Sequence, residues 1–250
     1  MLTQPYRWRL SAGFVAHLWK AATQQHHRAL GPTIARLVPA EAIVFDVGAH
    51  AGQYTKLFAR AAPQGRVYAF EPGSYARTLL RVAIWVRRLR NVTIVPIALG
   101  DAEGVAVLNI PVKRSGSFGF GLSHLGAPAD RWTEIEQELV AQTTLDAAVA
   151  ALGLDRLDFV KADIEGWEMR LLRGASDSLA RLRPRLLLEL SAEHLRRAGD
   201  HAEDAFDWLA ARAYRPFTMD AGHRLNALAA PRDGDIWFLP ADDPAIAGLC

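Results

Sequence analysis

The 250-residue chain is half apolar and 22% charged, which gives one α/β domain enough material for a packed core and excludes a disordered or fibrous protein. Its 29 Lys and Arg against 27 Asp and Glu leave a net charge of +2, too balanced for a protein that works by neutralising nucleic-acid phosphates, so no nucleic-acid partner is expected. The lone cysteine, Cys250, excludes an intrachain disulfide and a cysteine zinc site, and makes a reducing cytoplasm the expected compartment. No apolar run nears the ~20 residues of a membrane span and no signal-peptide core opens the chain, so a protein that is soluble, or at most peripheral, is expected.

Residues 1–40 hold Arg7, Arg9, Lys20, Arg28 and Arg36 and no carboxylate. Phe14 and Leu18, then Leu30, Ile34 and Leu37, recur at helical spacing before Pro39. The segment reads as a basic helical extension, 1–40, ahead of a main domain, 41–250. The plainer reading of its charge is a helix packed on that domain; the sharper one is a basic, aromatic lid or docking surface for an acceptor or an anionic partner.

Strands and helices then alternate. Ile43–Val47 (strand), Gln53–Ala62 (helix), Arg66–Glu71 (strand), Tyr75–Leu89 (helix) and Val92–Ala98 (strand) make a βαβαβ unit, which implies parallel strands with right-handed crossovers. After Gly100 the rhythm changes: Val105–Val112 alternates like a strand, and Lys113–Pro128, rich in Gly and Ser, reads as a loop, so about 101–143 is an insertion. The rhythm resumes with a helix at Leu145–Leu152, a strand at Asp158–Ala162, a helix at Trp167–Leu182, a strand at Arg185–Leu190 and a helix at Ala202–Ala213. Tyr214–Met219 and Ile236–Leu239 close the chain as a strand pair across the turn-rich stretch Asp220–Gly234. The expected fold is α/β, a doubly wound sheet of seven strands.

The richest stretch is Val44 to Gly52, an apolar strand that ends in an acid and a glycine-bearing loop and leads into a helix. Gly48 and Gly52 clear space where a ligand meets backbone, and the helix N-terminus offers oriented N–H groups. The spacing D-x-G-x-x-x-G lacks the pyrophosphate cradle of G-x-G-x-x-G, and Asp46 suits a cationic ligand better than a diphosphate. Glu71, 25 residues after Asp46 at the end of the second strand, can accept hydrogen bonds from both hydroxyls of a ribose. Together the two acids describe a nucleoside with a positively charged tail, a description that S-adenosylmethionine fits.

The run Asp46-Val47-Gly48-Ala49-His50-Ala51-Gly52, the pair Glu71-Pro72, Ala98-Leu99-Gly100-Asp101, Thr144-Leu145-Asp146, Lys161-Ala162-Asp163-Ile164-Glu165-Gly166-Trp167-Glu168 and Leu172-Arg173-Gly174-Ala175 resemble, in order, the FkbM-type S-adenosylmethionine-dependent methyltransferases. The resemblance spans Ile43 to Leu190, and the K-x-D-x-E-G-x-E run is its most specific element. The family usually carries Asn where His50 stands; a histidine there still offers a donor. The resemblance implies a class I methyltransferase (Rossmann-like) sheet whose last strand is antiparallel, with S-adenosyl-L-methionine as cofactor and S-adenosyl-L-homocysteine as product. It also implies O-methyl transfer to a hydroxyl of a small molecule, a sugar, natural-product or glycan precursor. The cofactor-binding candidates are Asp46, Gly48, His50, Gly52, Glu71, Ala98 and Asp163.

The methyl donor is already activated, so catalysis reduces to alignment and removal of the hydroxyl proton. Asp163 is the leading polar residue, with His194 as the alternative base, while Lys161, Glu165, Glu189 and His124 are candidates for the acceptor side. Lys161 and Asp163 share one face of a strand, so a simple ion pair between them is the competing reading. No ligand spacing demands a metal, and a homodimer is left open. Two rival functions stand beside this one: a Rossmann-type NAD-dependent oxidoreductase and a non-catalytic nucleoside-ligand-binding protein.

Overall fold

Ile43–Val47 (β1) is an unbroken apolar run except for Asp46, and from Val44 on every residue is buried, the pattern of a strand covered on both faces. The computed structural model describes residues 12–112, 123–125 and 134–247, and within them the chain opens with helix α1 (Ala12–Thr23), a 3-10 turn (Arg28–Leu30) and α2 (Gly31–Leu37). After β1 come α3 (Gln53–Ala61), β2 (Arg66–Phe70), α4 (Ser74–Arg87), β3 (Val92–Val95), β4 (Ala98–Gly100), β5 (Gly104–Val112), β6 (His124–Leu125) and β7 (Glu134–Thr144). There follow α5 (Leu145–Ala151), β8 (Phe159–Ala162), α6 (Glu168–Arg173), α7 (Ser176–Leu182), β9 (Arg185–Leu190), α8 (Ala192–Ala198), α9 (Ala202–Ala210), β10 (Tyr214–Met219), β11 (Leu225–Ala227), β12 (Gly234–Pro240) and α10 (Pro244–Ala247).

Among the described residues eight strands form the main sheet, in the order β11-β10-β12-β9-β8-β1-β2-β3. Neighbours from β9 to β3 run parallel, and β12 enters antiparallel between β9 and β10. Seven strands were expected; the eighth is the short edge strand β11, drawn from the turn-rich stretch after Met219 and paired with β10. One face of the sheet is covered by α5 to α9, around Phe45, Val160, Leu188 and Phe238, and the other by α2 and α3, around Ile34, Phe58, Phe159 and Trp237.

Three further expectations are corrected. The third strand stops at Val95 because Pro96, without an N–H, cannot continue a ladder; Ala98–Gly100 instead pairs with β7 in a second sheet. The helix expected over Trp167–Leu182 is two, broken at Gly174, whose Cα lies so close to Gly100 that a Cβ would stand 2.0 Å from its carbonyl oxygen. The insertion carries a four-stranded sheet, β4-β7-β5-β6, built on the long antiparallel pairing of β5 with β7. Of the expected Lys113–Pro128 loop, only Ser123–Leu125 falls within the described residues.

Helix α1 lies along α4, with Phe14, Leu18 and Ala21 against Tyr75, Leu79 and Ala83. Its C-terminal carbonyls are capped from the main domain: Lys56 Nζ donates to Ala21 and Gln24, Arg87 to Ala22 and Thr23. Thr144-Leu145-Asp146 has a structural use, since Thr144 caps α5 and the Asp146 carboxylate receives the N–H groups of Asp177 and Ser178 at the start of α7.

Candidate active site

In chain order the strands first run outward from β1 to β3 and then resume on its other side with β8, so the topological switch point lies between β1 and β8. A cleft of about 310 Å³ opens there, at the C-terminal strand ends. Its walls include the loop after β1, Glu71 to Gly73 after β2, Leu108 and Ile110 from the second sheet, and Asp163 to Glu165 after β8.

Backbone contact fixes the first two elements. Gly48, at φ +72°, approaches the end of β8 so closely that a Cβ would stand 2.0 Å from the Asp163 carbonyl oxygen. His50, at φ +53°, occupies the left-handed region in which Asn and His are enriched among non-glycine residues, which accounts for either residue at this position. Its N–H donates to Glu71 Oε2 at 2.8 Å and the Gly73 N–H to Oε1 at 2.8 Å. Glu71 is thus buried against the loop and still lines the cleft, and burial pushes its carboxyl up to about 7 against the pull of those two hydrogen bonds.

Two cofactor candidates stand behind the wall. Asp46 is fully buried: Oδ2 accepts from Thr55 Oγ1 at 2.5 Å and Oδ1 lies 3.8 Å from Lys161 Nζ. Alternation along β1 aims its side chain at α3, so it braces the loop instead of lining the cleft. Gly52, at φ +80°, begins α3 with Leu80 where a Cβ would be, and it is also absent from the wall. Ala98 does line the cleft, from β4.

On the other wall Lys161 Nζ sits 3.4 Å from Asp163 Oδ2 and 3.3 Å from the Gly48 carbonyl, over the Tyr54 ring at 5.0 Å. Burial would raise the Asp163 carboxyl, but the Lys161 charge and a hydrogen bond with Glu189 outweigh it and hold it low. Glu189 stays exposed at the cleft wall, where partial desolvation and that same bond to Asp163 push it up to about 8. The two carboxyls are coupled, with Asp163 the stronger acid and Glu189 the weaker.

The Glu165 carboxylate bonds His194 Nδ1 at 2.8 Å, and its carbonyl accepts from Arg197. Glu165 lines the cleft while His194 does not, and the hydrogen bond to Glu165 raises the imidazole. His194 thus sits as a positioning residue for Glu165. His124 is buried in β6 and faces the cleft.

Sequence reasoning missed three groups. His27 reaches the cleft from the N-terminal segment and stacks on Tyr54 with ring centroids 4.7 Å apart. Tyr54, in the first turn of α3, donates to Asp235 Oδ2 at 3.2 Å, and Asp235 stands opposite Glu189 in the β9–β12 ladder. The only available signal was that Tyr54 follows the glycine loop directly. Among the described residues no three His, Cys, Asp or Glu side chains are grouped to hold a metal ion.

The arrangement fits a nucleoside with a cationic tail. Glu71 uses two of about four acceptor positions on backbone N–H groups and keeps the others for ribose hydroxyls. Ile97, Leu99, Leu108 and Ile110 offer an apolar surface for a base, and Asp163, held ionised by Lys161, lines the same cleft.

A family model described as the methyltransferase FkbM domain matches residues 46–216. Among curated proteins the chain is similar to the AMB antimetabolite synthetase AmbE of Pseudomonas aeruginosa, 29% identical over 183 residues that cover 62% of this chain and 8% of that protein. The chain thus spans less than a tenth of that relative's length. Among solved structures it is similar to methyltransferase FkbM from Methylobacillus flagellatus KT, with 15% identity and TM-score 0.50 over 90% of this chain and 58% of that one. It is also similar to SMU.1697c of Streptococcus mutans in complex with SAH, with 9% identity and TM-score 0.50 over 86% of this chain and 98% of that one. At these identities the likeness to solved structures speaks for the fold.

Proposed function

Because the chain belongs to the FkbM methyltransferase family, and is thereby an S-adenosylmethionine-dependent methyltransferase, we propose that it is an O-methyltransferase acting on a hydroxyl of a small molecule, a sugar, natural-product or glycan precursor. Family membership removes the oxidoreductase and the non-catalytic readings. The expected compartment is the cytoplasm, and among the described residues no helix is long and apolar enough to cross a membrane.

The observation that carries the reading is the Asp163–Glu189 pair on the cleft wall. A hydroxyl is a weak nucleophile until its proton is taken, and a base works best when its pKa lies near the working pH. Glu189, pushed up to about 8, meets that need once deprotonated, whereas Asp163, held low by Lys161, is too weak to do so alone. Asp163 instead holds the protonated Glu189 carboxyl by a hydrogen bond, and its like charge raises the basicity of Glu189 once that proton is lost. His27, exposed at the cleft, stacks on Tyr54 and lines the same wall.

When bound, S-adenosylmethionine supplies a methyl group already activated for transfer. Glu71 and the apolar surface would hold its nucleoside, and the ionised Asp163 would face the cationic end. The test is incubation with methyl-labelled cofactor and a panel of glycosides, sugar nucleotides and hydroxylated natural-product precursors. Label recovered on oxygen is the expected result; label on nitrogen, sulfur or carbon overturns the reading.

A further inference from the structure

Two tryptophans stand in water on neighbouring helices: Trp19 of α1 is 68% exposed and Trp85 of α4 is 78% exposed, with Val15 and Val86 exposed beside them. Single exposed apolar residues are ordinary on a surface, whereas two tryptophans and two valines exposed on two adjoining helices call for an explanation. Val15 and Trp19 are four residues apart and share one side of α1, away from the side that Phe14 and Ala21 bury on α4. Arg87, which follows Trp85 and Val86, donates to the carbonyls of Ala22 and Thr23, so the end of α4 bearing one tryptophan meets the end of α1 bearing the other.

A basic hollow adjoins this junction, lined by His26, Arg28, Arg60 and Arg87 and by no carboxylate. Arg28 and Arg60 are exposed and form no ion pair among the described residues. Neither α1 nor α4 contains an acid, and Lys20, Arg81 and Arg88 add exposed positive charge. A second copy of the chain would set two such basic faces against each other. Aromatic side chains among Lys and Arg match the chemistry of an anionic bilayer surface, where indoles settle at headgroup depth and guanidinium groups meet phosphate.

We propose that this face seats the protein on anionic phospholipid bilayers, with Trp19 and Trp85 entering the headgroup layer and Arg28 and Arg60 against lipid phosphates. His27, next to His26 and Arg28 of the hollow, lines the cleft, so docking sets the rim of the active site beside the membrane.

The test is flotation of the full chain with phosphatidylcholine vesicles, with and without phosphatidylglycerol. Binding only to the anionic vesicles, weakened by salt, is expected. Removing Arg28 and Arg60 (R28A/R60A) should weaken it about fivefold per arginine. The W19A/W85A pair should abolish it, with thermal unfolding and S-adenosylhomocysteine affinity unchanged in both variants. No binding to anionic vesicles by the wild-type chain, or binding that neither pair of substitutions alters, overturns the proposal. A dimer in sedimentation velocity that W19A/W85A disperses also overturns it, by assigning the face to a second copy.

Discussion

Lys161 and Asp46 face each other across the β1–β8 ladder, 3.8 Å apart, with both side chains almost wholly buried. The same ammonium reaches Asp163 and the Gly48 carbonyl, so one cation joins the glycine loop to the K-x-D-x-E-G run. Removing one partner of a buried ion pair leaves an uncompensated charge. Lys161→Met should therefore lower stability by about 3–5 kcal/mol in urea unfolding. Asp46→Asn, which keeps an acceptor for Thr55, should cost less; equal losses would assign Lys161 no special place.

Glu71 holds the loop and leaves acceptor capacity toward the cleft. Glu71→Ala should weaken S-adenosylhomocysteine binding by about 1–3 kcal/mol in calorimetry, the cost of lost hydrogen bonds to a charged acceptor. Unchanged affinity in a folded variant would take Glu71 out of the site.

Glu168 is buried with the Ile164 N–H on Oε1, and burial pushes it up from 4.5 to about 7 against backbone hydrogen bonds that pull it down. A carboxyl raised on folding stabilises the protein fully below its unfolded pKa, and that contribution is lost as pH rises through the folded value. Stability should thus fall between pH 4.5 and about 7. Glu168→Gln, which keeps the acceptor without the charge, should recover about 1–3 kcal/mol of that fall. Parallel pH–stability curves for the two proteins would contradict the assignment.

Local pattern carried the parallel core into view, because β1, β2, β8 and β9 are short apolar runs closed by Gly, Pro or an acid. Strand β7 was hidden, since Glu134, Glu136 and Glu138 make it read as solvent; its partner β5 lies beyond a long connection, and Glu138 turns out to receive the Ser74 N–H at the start of α4. Glycine positions were legible as a loop, but their separate uses were not: Gly48 permits contact with β8, whereas Gly52 only starts α3. His27 and Asp235 meet around Tyr54 from opposite ends of the chain, a proximity that no local spacing encodes.

The pH dependence of kcat for methyl transfer to a hydroxyl acceptor tests the central claim most directly. Because Glu189 must be deprotonated to receive the hydroxyl proton, kcat should rise through about pH 8 and then level. Glu189→Gln should lower kcat roughly hundredfold or more and erase that rise, with KM little changed. A wild-type profile flat through pH 8, or the same rise in Glu189→Gln, would contradict the account.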